Sequence, residues 1–358
     1  MNPNERHFRP AKTVLLTGAG FTKPFGGFLA DEMWAMILNQ PEIRQYPKLR
    51  EHMLEELNYE TLYDKVLTSD NYTSDEKRAF RVAIRNAYQR MNEDICQDDV
   101  WHRSSASGVC RSFVARFAGS GQERGFFFTL NHDLFIERSY TNEKVELMIT
   151  IPGLPQKPKW FNGQLGSKLD SDDRVRLPQR ERVEQEKERF WAKSSERFMY
   201  IKLHGSYGWE TTKDGTDCMV IGHVKTGIIE NEPLLKWYLS LFEEVLHAEE
   251  RNLVVTGYGF RDPHINKLIA NAIRDTGLRL HVVSTMLPRD FKERLLPVHA
   301  VSAESTQWDN FSEEDKDRDV LWKALSGYYP ASMIDFYDEK TGNLTPRGRA
   351  FFRDLGLN

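Results

Sequence analysis

Four polar clusters interrupt the apolar runs of this chain: Gly18-Ala19-Gly20-Phe21-Thr22, Asn131-His132-Asp133, His204-Gly205 and Gly257-Tyr258-Gly259-Phe260-Arg261-Asp262, with Ser284 closing a fifth run. Histidine suits proton transfer because its ordinary pKa lies near neutrality. Asparagine offers a donor and an acceptor at once, so Asn131 can hold a water or a hydroxyl. Gly18 and Gly20 allow a sharp turn and a close approach of backbone N–H groups to a pyrophosphate at the start of a helix. Each cluster also has a plainer reading. A G-x-G after a strand is often a simple turn, and here the third glycine of the dinucleotide fingerprint is not at its usual place. Asn131 and Asp133 are favoured caps for a helix beginning at Leu134-Phe135. A lone histidine such as His204 is more often a core residue bonded to a carbonyl than a catalytic one.

The elements that must position these residues are legible as five short runs, TVLLT (13–17), FFFTLN (126–131), FMYIKLHG (198–205), NLVVTGYG (252–259) and RLHVVST (279–285). They read as buried strands. Between the fourth and fifth, Ile265, Leu268, Ile269, Ala272 and Ile273 recur at helical spacing, and Asp262-Pro263 reads as an N-cap followed by proline at the first helical position. Leu234, Leu235, Tyr238, Leu241, Phe242, Val245 and Leu246 give a further helical stripe. Strand alternating with helix implies a parallel sheet flanked by helices, a Rossmann-like α/β fold. Every cluster then leaves the carboxyl end of a strand, the rim on which open parallel sheets bind ligands.

About a hundred residues separate the first two strands, too many for a plain crossover. Phe80, Ile84, Ala87, Tyr88, Met91 and Ile95 form one helical face there, and Val109, Phe113 and Phe117 another. The expected organisation is a Rossmann-like unit of residues 1–29 and 119–305, a helical subdomain inserted at 30–118, and a helical tail at 306–358. The unit carries a charged insertion at about 151–197, opened by the proline-rich IPGLPQKPKW and read as a solvated helix or loop. A helix near 289–297 and a sixth strand near 298–303 complete the reading.

The 358 residues carry 49 Lys plus Arg against 53 Asp plus Glu, a net charge of −4, which argues against general nucleic-acid binding. Three cysteines, Cys96, Cys110 and Cys218, assemble neither a disulfide framework nor a four-thiolate zinc site. No run approaches the roughly 18 apolar residues of a membrane span, and the first apolar run is too short for a signal-peptide core. The expectation is a cytoplasmic protein with no zinc and no membrane partner.

Taken in order, the clusters resemble the sirtuin superfamily, in particular the divergent bacterial sirtuin-like proteins associated with anti-phage defence. Thr17-Gly18-Ala19-Gly20-Phe21-Thr22 is similar to the G-A-G-x-S turn, Thr129-Leu130-Asn131-His132-Asp133 to T-Q-N-x-D, Lys202-Leu203-His204-Gly205 to the segment of the catalytic histidine, and Gly257 to Asp262 to the glycine-rich adenosine-ribose contact. The resemblance implies catalytic roles for Asn131, Asp133 and His204. It implies cofactor contacts at Gly18, Ala19, Gly20, Phe21, Thr22, Phe25, Gly257, Tyr258 and Gly259, and an adenine-side contact at Ser284.

The departures narrow the chemistry. Protein-deacylating sirtuins follow the histidine with a ribbon of four cysteines, whereas Cys218 is the sole cysteine after His204. Leu130 stands where they carry glutamine, and Lys23-Pro24-Phe25-Gly26 keeps only the Pro and Phe of the P-D-F-R loop. The resemblance therefore implies an NAD+ hydrolase releasing nicotinamide and linear or cyclic ADP-ribose, the toxic effector of an abortive-infection system. An NAD-dependent protein deacylase and a non-catalytic NAD- or ADP-ribose-binding subunit are the alternatives. The partners implied are NAD+, further copies in a homo-oligomer, and a HerA-type ATPase or an Argonaute-like protein as regulator. Chelation with EDTA is expected to leave the thermal midpoint unchanged, because structural zinc takes four ligands and three scattered cysteines do not supply them. Stoichiometric zinc in the purified protein contradicts this.

Overall fold

The computed structural model describes residues 8–96, 105–139, 149–154, 174–192, 197–222, 225–296 and 312–357. Six strands make the central sheet: β1 (Thr13–Thr17), β2 (Glu123–Thr129), β3 (Phe198–Lys202), β4 (Asn252–Thr256), β5 (Arg279–Ser284) and β6 (Leu325–Pro330). Their order is β3-β2-β1-β4-β5-β6 with every neighbouring pair parallel, and the two-residue strand Arg9–Pro10 adds to the start of β2. Residues of β1, β3 and β4 are buried throughout, which continuous apolar runs require once helices cover both faces of a sheet. The chain runs outward from β1 through β2 to β3 and then returns to β4 on the other side of β1. That reversal, at the carboxyl ends of β1 and β4, is the place where open parallel sheets receive ligands.

Between β1 and β2 lie the helices Ala30–Leu38, Pro41–Arg44, Pro47–Glu55, Tyr59–Thr68, Ser74–Asp94 and Ala106–Ala115. The longest starts in a capping box, Thr73 with Glu76, and buries Phe80, Ile84, Ala87, Tyr88 and Met91, the face that its periodicity predicts. Behind the sheet, Pro233–Leu246 buries its whole apolar stripe, and the ring of Phe242 packs on Phe128 of β2 at 4.8 Å. In the charged stretch the helix Arg180–Arg189 buries only Val183, as a solvated helix does. His204 is followed by a hairpin, Gly205–Glu210 against Asp217–Met219, which Val175–Arg176 extends to three strands.

Two expectations are corrected. The carboxy-terminal region is not purely helical: Leu325–Pro330 pairs with β5 as the edge strand β6. Its residues are half-exposed without alternation and its register shifts between Leu325 and Gly327, so its sequence lacks the strand period. Asp262 stands at the N-cap position of helix Pro263–Thr276, but its side chain makes no capping bond. The helix near 289–297 is observed as Pro288–Leu295; the expected strand near 298–303 lies outside the described residues.

The loops after β1 and β4 touch backbone to backbone. Gly18 donates to the carbonyl of Thr256 (3.1 Å) and Gly20 to that of Gly257 (2.9 Å). Gly257 has φ +68°, and a Cβ there would lie 2.0 Å from the amide nitrogen of Phe21. Gly277 shares that φ but has open space around it, so Gly277→Ala is expected to cost roughly 1–2 kcal/mol from backbone conformation alone. Gly257→Ala must in addition displace the β1 loop and is expected to lose clearly more in denaturant unfolding. Equal losses would show that the contact is loose.

Candidate functional site

The contacts around the reversal point close on themselves. From the β1 loop, the Thr22 hydroxyl receives the Asn131 side-chain amide at 3.4 Å. The carbonyl of His132 accepts from the amide of Tyr207 (2.8 Å) and the hydroxyl of Ser206 (3.3 Å), tying the β2 exit to the hairpin after His204. His204 Nε2 lies 3.0 Å from Nε2 of His264, which follows the β4 loop. The β4 loop returns through Gly257 to Gly20. Gly205, φ +73°, makes the turn possible, since a Cβ would meet the Cys218 carbonyl oxygen at 2.1 Å.

Burial governs the electrostatics of this ring. It pushes His132 down to about 3, with the Lys202 and Lys225 ammonium groups adding to the effect. His204, 2% exposed, is held well below its usual range, first by burial and then by Lys225, His264 and His132. Both are therefore neutral at pH 7, and Nδ1 of His132 is buried without a hydrogen-bond partner. Asp133 is raised by burial, against the pull of Lys202 and of hydrogen bonds from the Phe135 amide and the Thr22 hydroxyl. Behind it Lys202 and Glu137, both 0% exposed at the side chain, pair at 2.8 Å; Lys202 also donates to the Asp133 carbonyl, and Tyr200 donates to Glu137 at 3.3 Å.

These positions show which residue of the N-x-D cluster takes the capping bond. The Asp133 carboxylate accepts from the Phe135 amide at 3.1 Å, the bond expected of a residue leading into the helix Phe135–Ser139. Asn131 takes no part in that cap, and its donor faces the β1 loop. Of the candidate cofactor contacts, Phe21 and Phe25 are packed into the core: Phe21 meets Phe25, Phe113 and Phe127, and Phe25 stacks on Phe135 at 4.8 Å. The amides of Gly18 and Gly20 are taken by β4 carbonyls, so the first requirement for these glycines is steric, and Ala19 is the exposed residue of the turn. The Tyr258 hydroxyl donates to Asn266 Oδ1 (3.0 Å) and accepts from the Asp262 amide (3.1 Å), bracing its own loop. Gly259 keeps an open side, with the nearest atoms of Arg261 and Arg294 at 3.9 Å, and Ser284 ends β5 with its hydroxyl accepting from Met286.

The sequence reading missed Lys225 and His264. Asp262, its side chain 12% exposed, binds Lys225 at 2.6 Å, and Lys225 binds Glu60 at 2.8 Å. His264, the residue next after the Asp262-Pro263 signal, was in view; Lys225, 37 residues upstream of Asp262, carried no local signal. His204, Asp262 and His264 offer atoms within 4.8 Å of one another, a span that a metal ion would accept. Lys225 already supplies the positive charge opposite Asp262, so we read the group as a hydrogen-bonded network.

A family model described as the SIR2-like domain matches residues 125–303, half of the chain. The chain belongs to the SIR2-like domain family. A search of curated proteins finds no match. The SIR2-like match carries NAD-related chemistry in general, and it begins in β2 and spans the Asn131, His204 and Gly257 segments on the rim. Among the described residues no helix is long and apolar enough to cross a membrane.

The buried imidazoles make stability depend on pH in a definite direction. With a folded pKa below its unfolded value, His132 binds its proton first in the unfolded chain, so stability is lost as pH falls below about 6.5. The raised carboxyls of Asp133 and Glu137 act in the opposite sense. His132→Gln is expected to lose about 2 kcal/mol less than the wild type between pH 7.5 and 5, measured by denaturant unfolding at both values. Identical pH slopes in the two proteins would mean that His132 is solvated.

Proposed function

We propose that this protein is an NAD+ hydrolase that releases nicotinamide and ADP-ribose, with Asn131, Asp133 and His204 as its catalytic residues. The observation that carries the reading is the closed ring of contacts at the sheet's reversal point, which gathers a neutral His204 and an Asn131 side chain held by the Thr22 hydroxyl beside the glycine loops. The nicotinamide of NAD+ leaves as a neutral base, so the reaction needs no strong acid, only a placed nucleophile and support for a ribosyl cation. Asn131 would orient the attacking water or a ribose hydroxyl, Asp133 would hold the carboxamide, and His204 would accept the proton. The loops at Gly18 to Thr22 and Gly257 to Gly259, with Ser284, would receive the remainder of the dinucleotide. The hairpin Gly205–Glu210/Asp217–Met219, with its single cysteine 1% exposed, stands where a deacylase would carry a zinc ribbon, which supports hydrolysis over acyl-lysine chemistry.

In the biological reading the enzyme acts in the bacterial cytoplasm as a homo-oligomer that depletes NAD+ on phage infection, restrained by a HerA-type ATPase or an Argonaute-like partner. The family resemblance supports this, and the chemistry above does not depend on it.

Two substitutions test the site. His204→Ala is expected to lower kcat by about 10²- to 10⁴-fold with little change in NAD+ affinity, because a placed acid–base group contributes to rate more than to ground-state binding. Asn131→Asp keeps an acceptor but removes the donor and sets a second carboxylate beside Asp133; it is expected to fold and to release no nicotinamide. Wild-type turnover in either variant would remove that residue from the mechanism.

A further inference from the structure

The nitrogen that His204 turns toward its neighbours is already engaged. Its Nε2 meets Nε2 of His264 at 3.0 Å, the ring centroids lying 5.1 Å apart and the planes at 37°. Both rings are held below their usual pKa, chiefly by burial, so both are neutral near pH 7. Two neutral imidazoles share such a contact only when one nitrogen carries the proton and the other does not. The surroundings break the symmetry. His204 faces Lys225, His132 and His264, all of which disfavour a positive charge on it. His264 also feels Lys225, but it faces the Asp262 carboxylate, which favours one and outweighs Lys225. Asp262 continues to Lys225 at 2.6 Å and Lys225 to Glu60 at 2.8 Å, and the Glu60 side chain is 31% exposed. Packed around this row are Tyr59 and Tyr88, whose hydroxyls lie 3.1 Å apart, with the Tyr88 ring edge-on to His132.

We propose that His264 is the positioning partner of His204 in NAD+ cleavage: it accepts the Nε2 proton of His204, leaves Nδ1 of His204 as the base, and carries the positive charge beside Asp262 once that base has been protonated. The inference rests on the NAD+-cleaving reading of the site. In the step, an O–H bond of the attacking water breaks and its proton goes to Nδ1 of His204, while the oxygen forms the new bond to the ribose carbon. The electron pair of the glycosidic bond leaves with nicotinamide and neutralises its ring nitrogen. The proton on Nε2 of His204 passes to Nε2 of His264, which becomes an imidazolium opposite Asp262 and later releases a proton to solvent from its half-exposed position. No oxidant or reductant enters. A lone buried His204 would have to hold that charge beside Lys225, and its proton affinity there is low.

The test uses the full chain as wild type, His264→Ala and His264→Gln, with two readouts. Histidine-selective ¹⁵N NMR near pH 7.5 reports which nitrogen of His204 is protonated, with His204→Gln assigning the signal, and steady-state kinetics report kcat and KM for NAD+. The wild type is expected to show His204 as the Nε2–H form. His264→Ala is expected to lose that preference and to lower kcat by about 10²-fold with KM within about twofold. Glutamine can accept the Nε2–H bond but cannot carry the proton, so His264→Gln is expected to restore the tautomer and only part of the rate. An Nδ1–H His204 in the wild type, or full kcat in both folded variants, overturns the proposal. A wild type that releases no nicotinamide fails the hydrolase reading and the relay with it. The His204–His264 pairing is then decided by the spectra: a tautomer that changes in His264→Ala upholds it, and an unchanged one overturns it.

Discussion

Everything at the rim of this sheet depends on one close approach, the backbone of Gly257 lying against Gly18, Gly20 and Phe21 at the point where the strand order reverses. Two amide-to-carbonyl bonds of 3.1 and 2.9 Å join the loops, and a side chain at Gly257 would have to occupy the space of the Phe21 amide. Because β1 and β4 are neighbours in register from Thr13–Asn252 to Thr17–Thr256, their loops leave the sheet at the same height and are forced together. The β1 loop in turn fixes Thr22 under Asn131, and the β4 loop delivers Asp262 and His264 to His204. The meeting of these side chains at one rim follows from glycines that permit contact.

The second constraint is the exclusion of water from the wall. A carboxylate, an ammonium group and two imidazoles sit behind the β2 and β3 exits with little or no exposure, and each must be answered within the protein. Lys202 answers Glu137 and the carbonyl of Asp133, so the N-x-D cluster is held from behind by a buried ion pair whose rupture would leave an uncompensated charge. The histidines meet the same constraint by staying neutral. Burial thus keeps both rings unprotonated, and Lys225, bound by Asp262 and Glu60, disfavours a proton's charge on His204.

The five central strands were legible because a parallel sheet covered on both faces demands unbroken apolar runs, and Phe126 to Phe128 or Leu253 to Val255 admit little else. The helix Ser74–Asp94 was legible from its period and its capping box. The edge strand Leu325–Pro330 was not, since half-exposed residues on an edge carry no alternation, and neither was the short hairpin after His204. Asp262 shows how local reasoning fails: its position next to Pro263 signals a cap, but a lysine 37 residues upstream claims the carboxylate. The same limit hid the His204–His264 pair, which exists only because the β3 and β4 exits converge.

The central claim is that this wall cleaves the bond between nicotinamide and ribose using water. The direct measurement is to incubate the purified protein with NAD+ in ¹⁸O-enriched water, without any acylated peptide, and to analyse the products by mass spectrometry. The account predicts nicotinamide and ADP-ribose in equal amounts, the ADP-ribose carrying one ¹⁸O at the ribose carbon that bore nicotinamide. Recovery of intact NAD+, or turnover that begins only when an acetyl-lysine peptide is added, would contradict it.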